Sequence, residues 1–505
     1  MKNNLLPLLA GAATLASCGQ DGGATDRPNF LFVFVDDLGY ADVGFNGSTY
    51  YETPNIDAAA QKSVIFENSY MYPTSSPSRT ALFTGQQSFR TGVYNVPVLE
   101  TKGDASDNIY SRWTITKDYP FYSEQLAKVG YKSIHLGKWH VVGPYPDEEL
   151  SMAFPIEKQL AQPNAGDYSW VERHKSDDIK LSFYPEGRGF VQNIGGSFRG
   201  DPAYEEGGYK SSTGGYRAPF SNPFVEKRAD DEWLTDRLTD DAISFMKENK
   251  GGPFFVNLHY YTVHQPVISR SDELVEKYMA KDGDETLGQG VGNKDKKLKA
   301  AAYASMIESL DDNFGRMVDF LEESGLDKNT IIVFSSDNGY NFGANNLLRG
   351  KKRDIYEGGV RVPTFIYWPG KSVARRTKIS VSVLDYFPTF LDLAGINDYK
   401  GTLDGNSIKP LLTSDDEAFK ERPIFWQISS RSARMGTCTA VRQGKYKAIQ
   451  FLATGEVEVY DLENDPMESK NLAKTNKAIA GKFAKQMSEW RVDNNVPMPG
   501  DAVVR

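Results

Sequence analysis

Four short apolar runs in this chain each end in side chains able to do chemistry, and that recurrence restricts the fold more than any other feature. Residues 30–35 run into Asp36-Asp37, and residues 132–136 run into Gly137-Lys138-Trp139-His140. Residues 253–259 reach His264 within a few positions, and residues 330–334 pass through Ser335-Ser336 into Asp337-Asn338-Gly339. A fifth strand is expected at 363–367, and helical periodicity fills 53–62, 123–129, 231–249, 298–324 and 384–393. This alternation specifies an α/β fold, a large mixed but mostly parallel sheet sandwiched by helices. Ligands of such sheets bind beyond the carboxyl ends of the strands. With the four runs as parallel neighbours, Asp36, Asp37, Lys138, His140, His264, Asp337 and Asn338 would share one rim.

Three carboxylates and an amide oxygen are hard donors, suited to Ca²⁺ or Mg²⁺ rather than to zinc or copper. Each motif also has an ordinary reading: a cap or turn at Asp36-Asp37, and a turn at Asp337-Asn338-Gly339. Unpaired buried carboxylates side by side repel one another, which weakens those readings when the motifs are taken together. Residues 75–85, SSPSRTALFTG, form a polar turn opening an amphipathic helix. Ser75 there could be a cap, or it could lie among helix-terminal N–H groups that favour anions. Lys138 could follow its strand into solvent, Trp139 could be a core aromatic, and Lys352 could belong to a solvated basic loop, Arg349-Gly350-Lys351-Lys352-Arg353. His135 and His259 lie inside strand patterns and read as structural, and His174 reads as solvated.

The 505 residues exceed one ordinary core, so a large domain over 27–415 and a smaller one over 416–505 are expected. In the smaller part, strands at 424–428, 438–442, 446–451 and 456–461 precede a helix at 477–491, which suggests an antiparallel sheet plus helix. Residues 143–228 and 283–297 lack periodicity and read as long loops, the first near the site. Loop aromatics such as Tyr50, Tyr51, Tyr70, Tyr72, Tyr209 and Tyr216 could stack on sugars or fill the core. A net charge of −9 argues against general binding to nucleic acid or anionic membranes. With only Cys18 and Cys438, no disulfide framework is available, and Cys438 reads as a buried thiol. Residues 1–18 read as an export signal, too short to span a bilayer. Its end, Leu15-Ala16-Ser17-Cys18, resembles a bacterial lipobox, and residues 19–26 would be the tether. An exported lipoprotein of a Gram-negative bacterium, periplasmic or anchored to the outer membrane, is therefore expected. The alternative is a plain signal peptide cut nearby.

The segment with Ser75, Pro77, Ser78, Arg79, Thr84 and Gly85 resembles the signature of the formylglycine-dependent type I sulfatases of the alkaline phosphatase superfamily. Ordered companions extend the likeness from Arg27 to about Asn471. They are Gly137-Lys138-Trp139-His140, Ser336-Asp337-Asn338-Gly339, residues 356–363 (YEGGVRVP), residues 385–395, and Tyr460-Asp461-Leu462 with Asp465-Pro466. The resemblance implies an alkaline-phosphatase-like fold and oxidation of Ser75 to formylglycine by a maturase of the serine-capable type. It implies metal ligation, calcium ahead of magnesium, by Asp36, Asp37, Asp337, Asn338 and the modified Ser75. Arg79 would hold the nucleophile, Lys138 and Lys352 would grip sulfate oxygens, His140 would bond to the formylglycine hydrate, and His264 would protonate the leaving alcohol. Lys352 is preferred to Lys351 by its spacing to Tyr356. The implied activity is hydrolysis of sulfate esters, on sulfated polysaccharides or oligosaccharides of algal galactan or glycosaminoglycan type. The rivals are a phosphomonoesterase or phosphonate hydrolase of the same superfamily, and a lipoprotein that binds sulfated glycan without turnover. Two departures stand out: Trp426 is followed by Gln427 where relatives commonly carry histidine, and Gly189-Phe190 with residues 193–196 matches the substrate-side loop only loosely.

Overall fold

The computed structural model of the chain describes residues 27–96, 109, 111–112, 114–143, 183–203, 215–226, 228–281, 294–342, 348–413, 416–429 and 435–499. The expected leader and tether with Cys18, together with Tyr209, His174 and most of 283–297, lie outside the described residues. Among the described residues no helix is long and apolar enough to cross a membrane.

The strands in chain order are β1 (Asn29–Val35), β2 (Val64–Phe66), β3 (Ser69–Tyr70), β4 (Lys132–Gly137), β5 (Gln192–Ile194), β6 (Phe254–Tyr260), β7 (Thr330–Ser336), β8 (Phe365–Tyr367), β9 (Arg375–Thr377) and β10 (Val381–Ser382). Eight of them form one sheet in the order β5-β4-β6-β1-β7-β8-β2-β9. The four expected site strands are the parallel neighbours β4, β6, β1 and β7, so their carboxyl ends share one edge. β8 runs antiparallel to β7 and β2, which makes the sheet mixed. β1 is buried along its whole length. An uninterrupted apolar run is what a central strand covered on both faces requires.

The pleat divides that run between two cores. Phe30, Phe32 and Phe34 face one cluster with Phe83, Tyr122 and Phe390, from the helices Ser75–Thr84, Tyr122–Lys128 and Tyr386–Leu393. Leu31, Val33 and Val35 face another with Ile56, Leu238 and Phe314, from the helices Pro54–Gln61, Leu234–Glu248 and Lys294–Ser324. Each fully buried phenylalanine or leucine contributes on the order of 1.5–3 kcal/mol, so the apolar surface of β1 fixes its register strongly.

After the main sheet come β11 (Ile424–Ile428), β12 (Cys438–Gln443), β13 (Tyr446–Phe451) and β14 (Val457–Asp461), an antiparallel sheet in that order. Trp426, Cys438, Ala440, Ile449 and Tyr460 join the first core. Val441, Ala448 and Val459 pack with Phe483 and Met487 of the terminal helix Lys477–Asp493. Cys438 is a buried thiol.

One expectation is revised and one open alternative is resolved. The segment 143–228 is not wholly irregular, because β5 extends the sheet from within it, beside β4. Tyr50, Tyr51, Tyr70, Tyr72 and Tyr216 are all buried, so core packing rather than sugar stacking accounts for them.

Candidate active site

Three adjacent strand ends are tied together by backbone. The amide of Asp36 donates to the Thr262 carbonyl just past β6, and that of Asp337 donates to Val35 at the end of β1, each at 3.1 Å. Asp37 takes a positive φ of 62°, and its amide donates to Asp337 Oδ1 at 3.2 Å. On the next strand Gly137 has φ 85°, and a Cβ there would lie 2.0 Å from the His259 carbonyl oxygen. That oxygen accepts from the amide of Lys138 at 2.8 Å. Only glycine allows so close a turn, and the turn carries Lys138 into the rim.

The helix Ser75–Thr84 is buried at all ten positions and brings its first residue to these strand ends. The Ser75 hydroxyl lies 3.3 Å from Asn338 Oδ1 and 3.4 Å from Asp36 Oδ1, and accepts from Lys138 Nζ at 3.2 Å. The position preceding the helix is Thr74, which makes no side-chain cap, so Ser75 faces the rim rather than capping. Ser78 braces the turn by accepting from the Tyr72 amide at 3.0 Å and donating to its carbonyl at 3.1 Å. Arg79 donates to Asp337 Oδ2 from Nε at 3.1 Å and Nη2 at 2.9 Å, and to the Lys138 carbonyl from Nη1 at 3.0 Å.

Positive and negative groups interleave around Ser75. Lys138 Nζ is 2.6 Å from Asp36 Oδ2, and Lys352 Nζ is 2.6 Å from Asp37 Oδ1, which also accepts from Asn338 Nδ2 at 2.8 Å. Burial, then the charge of Asp337, pushes Asp36 well above the usual carboxylate range against the pull of Lys138. Burial works against ionisation of Asp337 too, but Arg79, Lys138 and Lys352 hold its carboxyl down at about 2. Burial and the nearby lysines keep both His140 and His264 well below ordinary histidine.

The donor chemistry fits a hard divalent cation. Among the described residues Asp37 Oδ2 is buried without a hydrogen-bond partner, and it lies 3.9 Å from His264 Nε2. His264 Nδ1 is 2.8 Å from the Gln265 carbonyl, which can only accept, so Nδ1 carries the hydrogen and a neutral ring turns its Nε2 lone pair toward Asp37. An unpartnered buried carboxylate oxygen of this kind is what a hard cation satisfies. Asp36, Asp37 and His264 each offer an atom within 4.8 Å of the others. Ser75 Oγ, 3.4 Å from Asp36 Oδ1 and 3.3 Å from Asn338 Oδ1, adds further oxygens beside them.

The structure thus brings Asp36, Asp37, Ser75, Arg79, Lys138, His264, Asp337, Asn338 and Lys352 into one buried constellation. His140 adjoins it: its carbonyl accepts from Ser76 at 2.7 Å, and its ring lies under Gly200, where a Cβ would sit 2.5 Å from Cε1. Trp139 is core, its ring tilted against Phe83 with centroids 4.6 Å apart and its Nε1 donating to the Phe183 carbonyl at 3.2 Å. Sequence reasoning left His259 as purely structural, yet its Nδ1 is 2.9 Å from Arg79 Nη1 and accepts from it. The available signal was its pleat: Phe255, Asn257 and His259 share the face beneath the serine helix. His135 on β4 joins them, with Nδ1 2.8 Å from Asn257 Nδ2. Gln427 points away from Lys138 and Ser75, accepting from Thr439 at 2.6 Å in its own sheet.

Comparison with known proteins follows the same outline. Residues 28–396 match the profile of the sulfatase family, and residues 350–493 match the family described as N-sulphoglucosamine sulphohydrolase, C-terminal. A sulfatase of Formosa agariphila is 28% identical over 97% of this chain and 92% of its own. The N-acetylgalactosamine-6-O-sulfatase of Bacteroides thetaiotaomicron is 26% identical over 94% of this chain and 96% of its own. The crystal structure of Ps i-CgsB in complex with k-i-k-neocarrahexaose superposes with a TM-score of 0.69 at 29% identity, covering 93% of each chain.

Proposed function

The chain belongs to the sulfatase family and is a sulfuric ester hydrolase, and on that premise we propose that it removes sulfate from polysaccharides or oligosaccharides with a formylglycine made from Ser75. The observation that carries this reading is the surrounding of the Ser75 hydroxyl by Lys138, Asp36 and Asn338 at 3.2–3.4 Å. A calcium ion would be held by Asp36, Asp37, Asp337, Asn338 and the modified Ser75, where it would supply Lewis-acid stabilisation of charge on the sulfate oxygens. Formylglycine hydrate supplies two hydroxyls on one carbon, so that one can take the sulfuryl group and the other can release it.

The remaining work falls to side chains of this chain. Lys138 and Lys352 bind the sulfate oxygens and offset the charge that builds up in transfer. Arg79, fixed by Asp337, the Lys138 carbonyl and His259, orients the nucleophile, and His140 hydrogen-bonds to its hydrate. His264 gives a proton to the leaving alcohol, a contribution of roughly 10²–10⁴-fold for a sugar alkoxide. Without substrate, burial first and then Lys352 and Lys138 hold His264 well below ordinary histidine. A bound sulfate ester, a monoanion, between those lysines offsets part of their field and so favours a proton on Nε2.

Ser75 is fully buried in a helix. A maturase therefore has to act before the chain folds. The substrate class is supported by the relatives, one named an N-acetylgalactosamine-6-O-sulfatase and the other crystallised in complex with k-i-k-neocarrahexaose. Export through residues 1–18 and anchoring at Cys18 rest on the sequence ending Leu15-Ala16-Ser17-Cys18. The catalytic part is taken as 27–415 and the C-terminal part as 416–505. Rates on matched sulfate and phosphate esters, and on a panel of defined sulfated saccharides, test the reading. Sulfate release from saccharides supports it; preference for the phosphate ester, binding of glycan without release, or action on small aryl esters alone rejects it.

A further inference from the structure

Lys352 reaches the rim from a loop whose ends are held by the C-terminal sheet. The loop runs from Arg349 to Glu357 and closes on itself, since the Gly358 amide donates to the Arg349 carbonyl at 2.7 Å and a Cβ on Gly359 would lie 2.0 Å from the Asp354 carbonyl oxygen. At one end, Arg349 Nη1 donates to the Tyr460 hydroxyl and to the Glu468 carbonyl, both at 2.8 Å, while its guanidinium lies 3.7 Å from the centre of the Tyr356 ring. At the other end, the amide of Glu357 donates to Glu468 Oε2 at 2.7 Å. Between the two acids sits Lys447 of β13, 3.0 Å from Glu357 Oε1 and 3.2 Å from Glu468 Oε1, and all three side chains are buried. The tip of the loop is held from the main domain, the Lys352 amide donating to Tyr340 at 2.8 Å and that of Arg353 to Pro73 at 2.7 Å.

We propose that Lys447, with Glu357 and Glu468, is a positioning group for Lys352, so that the C-terminal sheet sets the geometry of sulfate binding across the domain boundary. The inference rests on the reading of Lys352 as a sulfate-binding cation. A long lysine tip placed a few ångströms from its target loses its hold if its loop stem shifts by about 1 Å, and such misplacement alone can cost about 10²-fold in rate. Burying two carboxylates against one ammonium is a poor device for stability, because apolar packing of the same volume serves as well or better. A fixed loop is what such a device supplies in return.

A double-mutant cycle decides the matter. Lys447→Met, Lys352→Ala and the double variant are compared with the matured parent by kcat/KM on an aryl sulfate, with thermal melting to confirm folding. The clamp predicts a loss of about tenfold or more for Lys447→Met in the parent but within about twofold in the Lys352→Ala background, because the two act as a unit. A purely architectural lysine gives the same factor in both backgrounds, and that result overturns the proposal, as does unchanged activity in the folded single variant. Should Lys447→Met not fold, Arg349→Met at the other end of the loop is judged by the same criteria. Wild-type activity in Lys352→Ala itself removes the sulfate-binding reading of that lysine, whatever Lys447 does.

Discussion

Asp337 serves two partners at once, taking two hydrogen bonds from Arg79 on one oxygen and the Asp37 amide on the other. Asp337→Asn keeps the shape but removes the charge that holds Arg79, and kcat/KM on an aryl sulfate is expected to fall by about 10³-fold or more with the fold retained. Near-parent activity in that variant contradicts the assignment. His135 offers a pH test away from the reacting groups. Burial first, then Arg79, lowers it to about 3, so it stays neutral in the native state while the unfolded chain takes up a proton below about 6.5. Its contribution to stability is full above that pH and is lost as pH falls, by about 1.4 kcal/mol per unit at most. Asp42 and Asp311, both raised to about 6 by burial, act in the opposite direction. The comparison is therefore parent against His135→Gln, and the parent's melting temperature should drop more steeply between pH 6.5 and 5; parallel curves contradict it. At this scale the sequence was informative where a residue type has few uses, as with Asp36-Asp37 after an apolar strand. For His259 it offered only the pleat, because the contact with Arg79 arises when the serine helix packs on that face of β6.

Among the elements, the turn at the end of β4 is the most constrained. Gly137→Ala would force a side chain into the left-handed region and into the His259 carbonyl. It should destabilise the protein by about 2–4 kcal/mol, read as a lower melting temperature, and depress activity by displacing Lys138. An unchanged melting temperature contradicts this account of the turn. Long buried strands and helices were legible because their apolar runs exceed the length at which periodicity emerges. β2, β5 and β9, of three residues each, were not, since their pairing depends on neighbours far away in the chain. The helix Asp272–Ala280, capped by Ser271 accepting from the Leu274 amide, carried its signal in Ser271-Asp272-Glu273 but lay in a polar stretch. The loop tyrosines show the converse failure, since aromatic composition alone does not separate a sugar platform from a core.

For the whole molecule, the rim is an assembly of segments from Asp36 to Lys352 around a cluster of buried like charges. A divalent cation should therefore stabilise the fold, by about 2.7 kcal/mol at a hundred times its dissociation constant. Calcium should raise the melting temperature of the parent and leave that of Asp36→Asn unchanged; an equal shift in both places the ion elsewhere. The C-terminal sheet completes the first core and meets the Lys352 loop, so the boundary near residue 415 separates two folding patterns without separating two functions. The claim on which the rest depends is that Ser75 becomes the nucleophile. Mass spectrometry of the peptide containing Ser75, from protein made in its native host and assayed for sulfate release, tests that claim most directly. The account predicts a peptide lacking two hydrogens, in a fraction that tracks activity across preparations; an unmodified serine in fully active protein contradicts it.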